Sequence, residues 1–450
     1  MVTSGLEGLI PGGTFYLRTF GCQMNEHDSE RIHGLLSAEG WHRVERPEDA
    51  DVLIYNTCSV REKADSRLLG NLGVARRLKA AGRTRAVVVA GCLAQSRRDT
   101  FLAEQPVVDV LVGPQSLDEL GRRLREFLLT GRPGTACAGG TGGWSATLPR
   151  IRRPGPTAWV QIMTGCTNFC AYCIVPYVRG AESSRPAEDI VAEVRSLVAD
   201  GVREVTLLGQ NVNAYGKEAG FGGREEFPDL LGALDDVAGL CRVRFMTSHP
   251  KDMSPRLIEA LGRYASVCEH VHLPVQSGNN RVLAAMGRGY TREDYLHLVG
   301  ELRRSVPSLT LTTDLIVAFP GETEAEFRET LSLVEACDFD AAFTFIYSPR
   351  PGTRAAVLPD RVDRQTAERR VNELIALVQG QAAEKNRRLV GATLEVLVEG
   401  RNANGQGWGR TRGFKLVNFS GTAAAGERAM VEIGGATSAG LTGRRVPHGR

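Results

Sequence analysis

The chain has 450 residues, 42% of them apolar, enough for two to four domains with real hydrophobic cores. No apolar run nears the roughly 18 residues of a membrane span, and the start, MVTSGLEGLIPGGTFYLRT, lacks the basic then apolar order of a signal peptide. A cytoplasmic protein without a membrane partner is expected, and there ten cysteines are too sparse for a disulfide scaffold, so clustered thiols point to metal or catalysis.

The first 130 residues predict repeated βα units and hence a parallel sheet: a strand TFYLRTF, a helix through Ser29 to Ala38, a strand DVLIYN, a helix from about Val60 to Ala80 and a strand AVVVAG. Cys22, Cys58 and Cys92 each follow one of these strands by one to three residues. In an open parallel sheet the carboxyl ends of the strands share one edge, where ligands bind, so these three thiols can meet there as a three-ligand site. The alternative is three small buried residues at tight βα turns.

Residues 131–151, rich in Gly, Pro and Thr, read as a linker. The block 152–384 carries six strand-like runs, AWVQIMT, EVTLLG, RVRFMTS, EHVHLPV, LTTDLIVAF and AAFTFIY, mostly alternating with helical stretches. Six such units suggest an incomplete relative of the eight-unit barrel, with functional groups at the carboxyl ends of the strands. The unusual residues fall there: Gln210 and Asn211 after the second strand, Ser248 and His249 after the third, Gln276 and Ser277 after the fourth, with Asp314 inside the fifth. His270 and His272 share one strand face and read as structural residues.

After the first strand of this block, MTGCTNFCAYCIVPYVRG places Cys166, Cys170 and Cys173 at a C-x3-C-x2-C spacing with no fourth cysteine or histidine nearby. A thiolate-held four-iron cluster normally takes four cysteines, so three leave one iron open to a ligand that is not protein. A structural zinc is the competing reading, but it usually takes paired C-x2-C halves or a two-histidine partner, and neither is present.

The tail, 385–450, is basic. From Lys385 to Arg450 there are 11 Lys and Arg against 4 Glu, a balance of +7; with +3 for the whole chain, residues 1–384 carry −4. Short alternating strands broken by glycine, as in GATLEVLVEG, GFKLVNFSG and AMVEIGG, predict a small OB-like β-barrel, and its charge suggests nucleic acid. Arg410, Arg412 and Lys415 are the candidate RNA contacts. A chain ending at Glu384 should then keep both cysteine sets and lose RNA affinity. The expected fold class is α/β: an N-terminal open parallel α/β domain over 14–130, a partial (β/α)6 barrel over 152–384 and the C-terminal small β-barrel.

At Cys166, Cys170 and Cys173, with Tyr172 before the last of them, the chain resembles the radical S-adenosylmethionine (SAM) superfamily. Over almost its whole length it resembles the methylthiotransferases, whose order is an N-terminal cysteine domain, a radical SAM barrel and a C-terminal TRAM domain. FGCQMNEHDSERI, YNTCSVREKA, GCLAQ, LLGQNVNAYG, HLPVQSGNNRVLAAMGRGYTREDY, TDLIVAFPGETE and YSPRPGT are similar to the branch that modifies N6-isopentenyladenosine beside the tRNA anticodon. Ala318, Val178 and Leu93 depart from the family pattern, and none replaces a cysteine.

The resemblance implies two 4Fe-4S clusters, one on Cys166, Cys170 and Cys173 and a second on Cys22, Cys58 and Cys92. It implies SAM as cofactor, with Tyr172, Gln210 and Asn211 as candidate SAM contacts. It implies a tRNA bearing isopentenyladenosine as substrate, a sulfur donor, and an electron donor such as flavodoxin or ferredoxin. The implied reaction adds a methylthio group at adenine C2, whose hydrogen has no useful acidity, so a radical route is chemically sensible. The rivals are a methylthiotransferase for threonylcarbamoyladenosine or for a ribosomal protein aspartate and, from another class, a non-catalytic iron-sulfur RNA-binding protein.

Overall fold

A computed structural model describes residues 12–59, 62–137, 149–221 and 223–447, which divide into two compact units. The first takes the chain up to Arg153 together with the short segments Gly165–Thr167 and Ile174–Ala181. Its elements are β1 (Thr14–Phe20), α1 (Gln23–Ala38), β2 (His42–Val44), β3 (Val52–Thr57), α2 (Glu62–Ala80), β4 (Ala86–Gly91), α3 (Cys92–Glu104), β5 (Val110–Val112), α4 (Leu120–Thr130), β6 (Gly134–Ala136) and α5 (Val175–Arg179). The strands form one parallel sheet in the order β2-β1-β3-β4-β5-β6. The runs VLIYNT and AVVVAG are buried at every position, as central strands covered on both faces must be. Ile32, Leu36, Leu120 and Leu124 cover one face of the sheet, and Leu68, Leu72, Leu93 and Phe101 the other.

Two expectations are corrected here. The first helix starts at Gln23 instead of Ser29, because Cys22 and Asn25 form a capping box that supplies partners for its first turn. Within the stretch read as a linker, Gly134–Ala136 is the edge strand β6, hydrogen-bonded to β5; residues 138–148 lie outside the described residues.

The second unit holds the six predicted strands of the middle block. They are β7 (Thr157–Gln161), β10 (Glu204–Leu208) and β11 (Arg242–Phe245) in one parallel sheet, and β12 (His270–His272), β13 (Thr310–Val317) and β14 (Ala341–Ile346) in another. Each sheet keeps sequential order, and an isolated parallel bridge, Val243 to Val267, continues the first toward the second, giving a partial barrel. A two-stranded antiparallel ribbon, β8 (Met163–Thr164) with β9 (Ser183–Ser184), stands beside them. The helices are α6 (Ala187–Ala199), α7 (Phe227–Asp235), α8 (Pro255–Arg263), α9 (Asn280–Met286), α10 (Arg292–Ser305), α11 (Glu324–Cys337) and α12 (Arg364–Arg387). The predicted capping box, Thr323 with Glu326, opens α11.

The tail is the expected closed barrel, β15 (Thr393–Arg401), β16 (Gly407–Thr411), β17 (Leu416–Ser420), β18 (Arg428–Ala436) and β19 (Leu441–Val446), in the order β15-β16-β17-β19-β18. Val396, Val398, Val417, Phe419, Val431 and Ile433 fill it. Its β16–β17 turn closes the amino-terminal end of the partial barrel. Arg244, buried on β11, pairs with Glu204 at 2.9 Å and donates to the carbonyls of Thr411 (2.6 Å) and Arg412, while Arg242 donates to the Arg410 carbonyl at 2.7 Å and pairs with Glu395 at 2.9 Å. Phe414 stacks on His270 with centroids 5.1 Å apart.

In this packing the three cations named as candidate RNA contacts also make bonds within the unit. Arg412 is held by Glu269 at 2.8 Å and by the Val267 carbonyl at 2.7 Å, and Lys415 lies 2.9 Å from both Asp340 and the Asn386 side chain. Arg410 makes two bonds to Glu399, at 2.6 and 2.7 Å. Each of the three is therefore bonded to a carboxylate of this unit. His270 and His272 are structural as expected: both bond the Thr312 hydroxyl, at 3.3 and 3.0 Å.

Candidate functional site

Cys22, Cys58 and Cys92 follow β1, β3 and β4, three neighbouring strands that run the same way. The strand order reverses between β1 and β3, so Cys22 and Cys58 flank the switch point where open α/β sheets bind ligands. Glycines make the close approach possible. A Cβ on Gly21, whose φ is +141°, would stand 2.5 Å from the Cys58 Cβ, and one on Gly91, at φ +93°, would stand 2.5 Å from both Asn56 Oδ1 and the Thr57 carbonyl.

Two asparagines tie these loops together. Asn25 Nδ2 donates to Asn56 Oδ1 (3.2 Å) and to the Thr57 carbonyl (3.3 Å), while Asn56 Nδ2 donates to the Asn25 carbonyl (2.7 Å) and to Ser29 Oγ (2.9 Å). Asn25 Oδ1 accepts from Cys22, whose Sγ lies 3.3 Å away. Both asparagines are fully buried, so the lattice is satisfied within the protein.

One cation faces this nest. Arg179, the last residue of α5 and itself in the first unit, points Nε at Cys92 Sγ (3.4 Å) and Nη2 at Asp28 (2.7 Å), and all three residues are buried. The Cys22 thiol is drawn down to about 6, chiefly by its hydrogen bond with Cys58 and then, against burial, by the Arg179 charge. Burial pushes the Cys92 thiol up, with Arg179 opposing. The lowered Cys22 thiol suits a metal ligand, since the thiolate is the ligating form.

The second cysteine set divides between the units: Cys166 counts with the first, Cys170 and Cys173 with the second. Cys170 and Cys173 sit in a turn closed by a bond from the Cys173 amide to the Cys170 carbonyl, 2.9 Å. Backbone bonds from Ala171 N to Met286 O and from Ala355 N to Ala171 O, both 2.8 Å, anchor this turn. Here too a buried guanidinium faces sulfur. Arg288 lies 3.5 Å from Cys170 Sγ and is held by the Pro274 carbonyl (2.7 Å) and the Tyr290 hydroxyl (2.8 Å). Tyr172 packs against the cluster of Ala171, Val282, Met286, Phe319 and Ala355.

Among the described residues no three His, Cys, Asp or Glu side chains are gathered around one point as a single ion would require. An iron-sulfur cluster sets a wider ring, because each thiolate binds a different iron.

The carboxyl ends of β7, β10 and β11 present a further pattern. Gln161 Oε1, Asn211 Oδ1 and Ser248 Oγ are buried oxygens without a hydrogen-bond partner among the described residues, an expensive condition in a finished interior. Asn211 is oriented by its other atom, Nδ2, which donates to Asp252 at 2.9 Å; Asp252 in turn meets Lys217 at 3.1 Å. Gln210 stands beside it, immediately after β10 and the turn residue Gly209. Thr247, Gln276 and Ala318, in the loops after β11, β12 and β13, all have positive φ, at +62°, +74° and +60°. Such strain gathers at functional edges.

His249 caps a short helical turn by accepting from the Lys251 amide at 3.2 Å, and burial with the nearby Arg288 charge drives its pKa down to about 2. The imidazole is neutral in the folded chain and ordinary in the unfolded one, so stability is complete above about pH 6.5 and falls by about 1.4 kcal/mol per pH unit below it. His249→Asn keeps a capping acceptor and should flatten that dependence in denaturant unfolding measured between pH 5 and 7; an unchanged slope would place the titration elsewhere.

Residue types and strand positions had pointed to the cysteines, to Asn211 and to Ser248. Arg179 and Arg288 were missed, since a lone arginine 87 or 118 residues from its sulfur leaves no local signal. The two asparagines did carry one: each stands within three residues of a candidate cysteine, in FGCQMN and YNTC.

Three regions match known families: residues 14–113 the uncharacterized protein family UPF0004, 160–334 the radical SAM superfamily and 387–446 the TRAM domain. The chain is 48% identical to a tRNA-2-methylthio-N(6)-dimethylallyladenosine synthase of Moorella thermoacetica over 412 residues, covering 91% of this chain and 92% of that one. It is 43% identical to a protein of the same name from Geobacillus thermodenitrificans, covering 97% and 84%. Among solved structures the radical SAM methyltransferase TsrM of Kitasatospora setae, with cobalamin and an iron-sulfur cluster bound, is similar in fold at a TM-score of 0.57, with 14% identity over 77% of this chain and 74% of that one.

Proposed function

Because the chain belongs to the family of tRNA-2-methylthio-N(6)-dimethylallyladenosine synthases, we infer that it is a radical SAM methylthiotransferase acting on N6-(dimethylallyl)adenosine beside the tRNA anticodon. The observation that carries this reading is that one chain with full-length relatives of that single name holds two cysteine sets, each faced by a buried arginine at 3.4 or 3.5 Å from sulfur. No helix among the described residues is long and apolar enough to cross a membrane.

Cys166, Cys170 and Cys173 would hold one 4Fe-4S cluster and Cys22, Cys58 and Cys92 a second. Bound there with SAM, the clusters supply electron transfer, radical generation and a sulfur to be methylated, chemistry that belongs to the cofactors. The protein's part is to bind and orient. Arg179 and Arg288 would offset the negative charge that iron-bound thiolates bring into a buried site, which otherwise carries a large desolvation cost. Asp28 fixes Arg179, and Pro274 O with Tyr290 fixes Arg288, so neither cation has to reorganise. The three orphan oxygens of Gln161, Asn211 and Ser248 suit the ammonium and hydroxyl donors of SAM, with Gln210 beside them. Tyr172, inside the cysteine turn and packed against Val282, Met286 and Phe319, would join Gln210 and Asn211 as a SAM contact. The sulfur donor, and an electron donor of the flavodoxin or ferredoxin kind, complete the requirement.

The test is mass spectrometry of tRNA nucleosides after reaction of the reconstituted enzyme with SAM and a reductant. The 2-methylthio derivative of dimethylallyladenosine is the expected product. Methylthiolation of threonylcarbamoyladenosine instead, or SAM cleavage without any modified nucleoside, would defeat the reading.

A further inference from the structure

Strand β14 forms one edge of its sheet, and it leaves two large aromatic side chains in water: Phe343 is 53% exposed and Phe345 38%. Two phenylalanines exposed in succession on one strand face are an informative exception to burial. Their face can be identified. Asp314 pairs with Phe343 across the ladder and Ile316 with Phe345. His272 Nε2 lies 3.4 Å from Asp314 Oδ1, and its ring meets Phe343 edge-on at 6.0 Å. The opposite face of β13 is taken by a helix, since Tyr295 of α10 and Thr313 both donate to the Leu273 carbonyl, at 2.8 and 2.9 Å. Phe343, Phe345, Asp314 and His272 therefore line the interior of the partial barrel. One end of this strip is closed by Phe414 on His270; at the other, Ile316 packs with Ala171 and Phe319 beneath the cysteine turn.

We propose that this strip seats the substrate nucleobase, Phe343 and Phe345 receiving the branched five-carbon group on N6 and Asp314 accepting the one hydrogen that N6 retains. The proposal rests on the function inferred above and adds its specificity. The dimethylallyl group is a hydrocarbon that gains by leaving water for aromatic surface, and the strip is continuous with the turn that carries Cys170 and Cys173. Asp314 is held on one side by His272 and is 27% exposed at its side chain, so it can meet a donor. An acidic substituent on the same nitrogen would instead bring a carboxylate toward Asp314 and two phenyl rings, which both charge and desolvation oppose.

The experiment uses the full-length reconstituted enzyme and anticodon-arm RNA hairpins that differ only at N6 of the target adenosine. The parent enzyme should bind the dimethylallyl hairpin at least tenfold more tightly than the unmodified one, since burial of several methyl and methylene groups is worth at least that much. The double variant Phe343→Ala, Phe345→Ala should reduce this preference to threefold or less through KM; the preference is a ratio between two hairpins on the same variant, so a general loss of stability or RNA affinity cancels from it. Phe343→Leu should retain most of the preference. Asp314→Asn should raise binding of a hairpin carrying an acidic N6 substituent. A double variant that keeps the tenfold preference, or a parent enzyme that binds both hairpins alike, overturns the proposal. A parent enzyme that discriminates and loses discrimination in the double variant, yet makes no methylthio product, supports the subsite and sinks the inferred reaction alone.

Discussion

Alanine at Cys22 should abolish the methylthio product while leaving reductive SAM cleavage in place, and alanine at Cys166 should abolish both. The first half follows from how the N-terminal nest is built. The fold around Cys22 is carried by β1, β3 and β4 and by the lattice of Asn25 and Asn56, and the cysteine's own contribution beyond its thiol is a backbone amide to Asn25 Oδ1, 3.4 Å, which alanine keeps. Removing the sulfur therefore takes away a ligand without taking away the sheet. The second half follows from the spacing that only Cys166, Cys170 and Cys173 possess.

Iron provides an independent reading of the same assignment. Anaerobically reconstituted protein should hold about eight irons per chain, and Cys58→Ala or Cys170→Ala should each hold about four. Four irons in the parent protein would mean that one of the two sets binds no cluster. Full product from Cys22→Ala would mean that the N-terminal set does not serve the transfer.

What could be read in the sequence depended on distance along the chain. The cysteines, the strand ends that carry them and the six barrel strands are local features, and each stood where hydrophobic runs and glycines predicted. The strands β2, β5 and β6 escaped because each is three residues long, too short for periodicity to declare itself. Charge was legible as a total, but its pairing was not. The tail's balance of +7 is real, but Glu269 and Asp340, which lie outside the tail, hold two of the cations chosen as RNA contacts. A sequence shows how many arginines a module has; only packing shows which are already paired.

That pairing changes what truncation at Glu384 should do. Without residues 385–450, Arg242 and Arg244, wholly buried in the full chain, lose the carbonyls of Arg410, Thr411 and Arg412 and the carboxylate of Glu395, and the surface that the tail covered opens to water. The shortened chain should therefore be unstable rather than merely weak in RNA binding. Point variants isolate the cause. Glu204→Gln leaves both buried cations without their shared anion and should cost about 3–5 kcal/mol, whereas Arg428→Ala, which removes an exposed partner of Glu395 at 3.3 Å, should cost at most about 1 kcal/mol. Denaturant unfolding of the full chain measures both, and equal small losses would show that the buried pairs contribute nothing special. Arg412→Ala and Lys415→Ala extend the comparison to RNA. Each should lower stability and leave the slope of log K against log salt for tRNA unchanged, because each side chain is bonded to a carboxylate and releases no counterion from phosphate. A slope reduced by about 0.7–0.9 with stability intact would instead return that residue to the RNA surface.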